Sequence, residues 1–208
     1  MTGPWFRVTL KVLFVLLLGI LIQTTFGSDL RVNDVAPDFM LLLAICAGFE
    51  GGPDAGAAVG FVAGLLSDLF LQGTPFGLSA IAACLAGFVA GWTSANFLRE
   101  GLSLAPVVAA AGTALGVVLF VVIGYLVGEN QLVAPGQRWL VEVAVVEATY
   151  AAIFALPAAL LMRWALRGPS SVAEPLSAGS TGGLPEPAAR RRGTARSRRR
   201  RRARARVG

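Results

Sequence analysis

Apolar residues run in six blocks, roughly 8–27, 36–49, 54–72, 76–97, 104–127 and 139–163, separated by short polar stretches. A bilayer core of ~30 Å needs about 20 mostly apolar residues per helix. Five blocks meet that length. The second, "PDFMLLLAICAGFE", is short and reads either as a full crossing in a locally thinned region or as a re-entrant segment. The pattern predicts an all-α membrane protein built as a six-helix transmembrane bundle over 1–167. From 168 on, a Pro-, Gly-, Ser- and Arg-rich stretch has almost nothing to bury, which predicts a disordered tail. The first block follows Arg7 and Lys11 as a signal peptide would, yet "IQTTFGSD" offers no small-x-small cleavage site, so an uncleaved span is expected.

Composition agrees with the blocks: 55% of the 208 residues are hydrophobic and the mean hydropathy is +0.69. The net charge of +6 is unevenly spread. Residues 170–208 carry 11 Arg against Glu174 and Glu186, or +9, while residues 1–169 carry 7 basic and 10 acidic residues, or −3. Lys and Arg bias predicts a cytoplasmic N-terminus from Arg7 and Lys11, and a cytoplasmic C-terminus from Arg163, Arg167 and the tail. Both ends on one side require an even number of crossings, which favours six. The tail, with its run Arg198, Arg199, Arg200, Arg201 and Arg202, suits anionic lipid at ~1 kcal/mol per residue near the surface. Nothing accompanies it that would read nucleic acid specifically.

The chain has no His, which excludes Ser-His-Asp and Cys-His catalysis and His-ligated metals. No metal site, cofactor or catalytic residue is predicted. Cys46 and Cys84 lie within apolar blocks and read as small buried hydrophobes.

Small residues recur every four positions. Gly56, Gly60, Gly64 and Asp68 form one slowly drifting stripe, because four residues advance a helix 40° beyond a full turn. Ala83, Gly87 and Gly91 repeat the device in the fourth block, and Gly112, Gly116, Gly124 and Gly128 in the fifth. Such spacing lets helix backbones approach closely in lipid. The string "GFVAG" occurs at 60–64 and again at 87–91, either by chance or as two ridges that face each other across antiparallel helices.

Asp68 ends the first ridge just before a Gly-Thr-Pro turn. Two readings stay open for it. It caps or braces the turn at Gln72–Phe76 through backbone N–H groups, or it serves a partner contact or an ion. Asp38, after Pro37, suits a helix start. Glu129 is expected in a loop at the same edge, and Glu142 has Arg138 four residues earlier as an ion-pair partner. Glu147, ~12 Å inside the sixth helix, has no basic residue at its depth and is expected to be protonated, hydrogen-bonded or functional. Pro157 is expected to kink that helix.

The Pro37-Asp38 opening, then "GPDAGAAVGFVAGLLSDLFLQGTPFGLSA" with its Gly64-Leu65-Leu66-Ser67-Asp68 step and the turn Gly73, Pro75, Phe76, Gly77, Leu78, resembles the rod shape-determining MreD family. The resemblance is good over 35–95 and absent from the tail. It implies a non-enzymatic scaffold of the bacterial plasma membrane, working with an MreC-like protein, a RodA-like glycan polymerase and its transpeptidase, and MreB-like filaments. It also implies a bundle similar to the substrate-binding subunits of energy-coupling-factor transporters. On this reading the stripe Gly56–Asp68, the turn Gly73–Gly77 and the ridge Gly87, Gly91 are partner-binding or helix-packing surfaces. The alternative is a small-molecule or ion transport subunit with Asp68 and Glu147 as its polar centre.

Overall fold

A computed structural model describes residues 4–26, 35–70, 76–97, 102–128 and 137–167. Six α-helices occur among them: α1 (Pro4–Phe26), α2 (Phe39–Gly51), α3 (Pro53–Phe70), α4 (Leu78–Phe97), α5 (Ala105–Val127) and α6 (Gln137–Leu166). Each matches one apolar block. Five are long and apolar enough to cross a membrane, and α2 is shorter. Lys11 Nζ donates to the Arg167 carbonyl at 3.5 Å, so the start of α1 and the end of α6 meet at one end of the bundle. The expected tail, 168–208 with Arg198–Arg202, lies outside the described residues, as do Gly73, Pro75 and Glu129.

The short helix is the centre of the fold. All nine residues from Met40 to Gly48 are buried. One side of α2 (Met40, Leu42, Leu43) packs with Leu16 of α1 and Ala159 and Met162 of α6. Its other side (Leu41, Ala44, Ile45) meets Ala83, Ala86 and Ala90 of α4 and Val108 of α5. A helix shielded by protein on every side need not match the bilayer thickness, so a rod of ~20 Å is tolerated there. Phe39 meets Phe154 of α6 edge-on, with ring centroids 5.3 Å apart.

Three of these helices touch backbone to backbone. A methyl group added at Gly56 would strike the Gly87 carbonyl of α4 and lie 2.7 Å from the Gly48 Cα of α2. One added at Gly60 would strike the Ala83 carbonyl, at Gly64 the Ser79 carbonyl, and at Gly91 the Gly52–Pro53 peptide. The α3 and α4 ridges thus face each other, with Gly48 of α2 seated against both. Gly52 makes the junction from α2 to α3 in a single residue, at φ +86°, a conformation that favours glycine. Gly112 and Gly116 of α5 pack on Ile45 and Leu41 of α2. Gly128 is no part of that ridge: it is the left-handed C-cap of α5.

Cys46 is buried, Cys84 is partly buried, and both are free thiols. The helix α6 continues through Pro157 without interruption.

Gly60→Leu drives a side chain into the α4 backbone and is expected to abolish a folded, monodisperse protein in detergent. Gly60→Ala should destabilise by ~1–3 kcal/mol, the usual cost of overpacking. Ala58→Leu, on the exposed face of the same helix, should be neutral. Thermal unfolding of the three variants checks this order.

Candidate functional site

Asp68 stands in the last turn of α3 and is only 7% exposed. Its carboxylate accepts the Gly77 N–H at 2.7 Å and the Ser79 N–H at 3.4 Å. These are the orphan amides at the start of α4, where a helix N-terminus favours a negative charge. Asp68 therefore caps the next helix and clamps α3 to α4 at the open end of their glycine ridge. Gly77 must take φ +96° for this, a left-handed conformation suited to glycine. Phe76 beside it is 70% exposed.

Asp38 performs the same task for α2. It is the N-cap, accepting the Met40 and Leu41 N–H groups at 3.0 Å each. The expectation of proline at the first helical position is off by two residues, because α2 starts at Phe39 and Pro37 precedes the cap. Gln23 Oε1 of α1 also accepts the Met40 N–H, at 3.3 Å.

Above the start of α2 lies a cavity of about 360 Å³. Its polar wall comes from Asp38, Ser67, Ser79 and Glu147, its aromatic wall from Phe120 and Trp139, and aliphatic side chains complete it. A short central helix ringed by longer ones produces such a space. Glu147 is ten residues into α6, ~15 Å from its start and deeper than the expected 12 Å. Its carboxyl and that of Asp38 line the same cavity, and Asp68 lies near Asp38. Three acids from α2, α3 and α6 thus gather at one end of the bundle.

Glu142 is not among them. It is exposed, and so is Arg138; no ion pair joins the two. Both side chains are free to be hydrated, and a surface pair of this kind gains little. The ion pair among the described residues is instead Arg163–Glu50, 3.8 Å, at the opposite end. There Lys11 also lies over the Trp164 ring at 4.9 Å.

The glycine ridges form no open surface. Gly56, Gly60, Gly64, Gly87 and Gly91 are all buried against other helices of the same chain, which leaves a partner no access to them. Sequence reasoning missed Gly48, although Ala44, Gly48 and Gly52 share the spacing of four that flagged the other ridges. It also missed Ser67, Ser79, Phe120 and Trp139, which only the fold brings to the cavity.

Asp68→Ala removes both acceptors and is expected to cost ~1–2 kcal/mol. Asp68→Asn keeps one acceptor oxygen and should cost about half as much. Hydrogen exchange at the Gly77 and Ser79 amides should speed up in the same order.

No curated protein and no solved structure matches this chain. The family model of the rod shape-determining protein MreD matches residues 1–165, nearly the whole helical region. With several apolar helices and the clamped Gly-Asp hairpin inside that match, the chain is a multi-pass membrane protein of cell-shape determination and belongs to the MreD family.

Proposed function

We propose that the chain is a non-catalytic scaffold of the peptidoglycan elongation complex in the bacterial plasma membrane. It links an MreC-like protein, a RodA-like polymerase with its transpeptidase, and MreB-like filaments through helix faces. The observation that carries this reading is the outer stripe of α1. Phe6, Leu10, Phe14, Leu17 and Leu21 follow one another at helical spacing, and each is 46–60% exposed. In lipid such a stripe is free to pack on a partner helix, whereas the glycine ridges are already used within the chain.

Both termini face the cytoplasm on this reading, supported by the Lys and Arg bias, with 1–167 as the membrane domain and the Arg tail on anionic lipid. The likeness to energy-coupling-factor subunits is carried by the family resemblance alone. The family match favours cell shape over a transport subunit.

Affinity isolation from native membranes tests the proposal. The double variant Phe14→Ala, Leu17→Ala should still insert, yet recover wall-synthesis partners about tenfold less well, as expected for loss of apolar anchors at an interface. Undiminished recovery contradicts the assignment to α1. Asp68→Asn should recover them normally.

A further inference from the structure

We infer that the cavity above α2 is a binding site for a small organic cation, independent of which proteins the outer faces hold. Asp38, at the start of α2, and Glu147 of α6 both line it, and none of the described residues lining it is basic. The Asp38 carboxylate is already held by the α2 amides, whereas Glu147 has no basic partner among the described residues, so an ammonium group in this space would supply the counter-charge for an ionised Glu147. Ser67 forms part of the same wall. It is 7% exposed, and its hydroxyl has no hydrogen-bond partner among the described residues. A buried hydroxyl left unpaired in a native fold calls for water or a ligand group.

Phe120 and Trp139 add two aromatic rings to the wall, and ring faces attract ammonium groups. About 360 Å³ lies within the range of small-molecule pockets. Among the described residues no three His, Cys, Asp or Glu side chains come together as metal ligands, which favours an organic ammonium over a metal ion. An anionic ligand would meet two acids and, among the described residues, no counter-charge. Shape and charge together specify a compact amine or quaternary ammonium.

The test uses the full-length chain in lipid nanodiscs, titrated with butylammonium and choline, and with butyrate and 1-butanol as matched anionic and neutral probes. Binding is read by calorimetry and by the fluorescence of Trp139, the latter checked against Trp139→Phe. Saturable binding of the two cations alone is expected. Glu147→Gln should weaken it roughly ten- to a hundredfold, the worth of a charge-assisted contact. Phe120→Leu should weaken choline more than butylammonium. Circular dichroism of each variant separates a lost site from a lost fold. The inference is overturned if neither cation saturates, if butyrate or butanol binds as well, or if folded Glu147→Gln binds like the parent chain.

Discussion

The bundle depends on the meeting of three backbones at Gly48, Gly56 and Gly87. In water, apolar side chains would drive helices together, but lipid is as apolar as leucine and supplies no such drive. What remains is dispersion and weak polar contact, and both grow as backbones come closer. At this crossing even a methyl group would overlap a carbonyl of the next helix. The contact needs glycine on all three sides, and the run from Gly52 to Gly91 keeps α3 and α4 in register along their length.

The other features follow from that hub. Because α3 and α4 lie so close, α2 can sit against both and be covered on its remaining sides by α1, α5 and α6. Full cover removes the length requirement that lipid imposes, so α2 stops at 13 residues. Its short length leaves a space at one end of the bundle, with Asp38 at the floor. A buried helix start needs acceptors for its free amides, which explains why Asp38 and Asp68 stand where an otherwise apolar chain would avoid acids. The charges that look anomalous in the sequence are thus helix caps, and Glu147 is the exception that caps nothing.

Much of this was legible beforehand, for physical reasons. Membrane helices are long apolar runs, so their number and limits could be read within a few residues, and the four-residue spacing of Gly56, Gly60 and Gly64 marked a close-packed face. The partner of that face was less accessible. The duplicated "GFVAG" suggested α4, but nothing local indicated that Gly48 joins it, since the central position of α2 is a property of the assembled bundle. Charge pairing failed for Arg138 and Glu142, where sequence spacing says nothing about exposure, and for Glu50 and Arg163, which are far apart in sequence. The cavity wall draws on α2, α3, α4, α5 and α6, so no single segment announces it.

The close three-helix contact is tested most directly by proton distances. Glycine-selective labelling in a deuterated chain in nanodiscs would report nuclear Overhauser effects between α-protons. Strong effects between Gly56 and Gly87, and between Gly48 and Gly56, are predicted. Their absence, with helices held at the ~8–10 Å separation of side-chain-mediated packing, would contradict the account of how this bundle is held together.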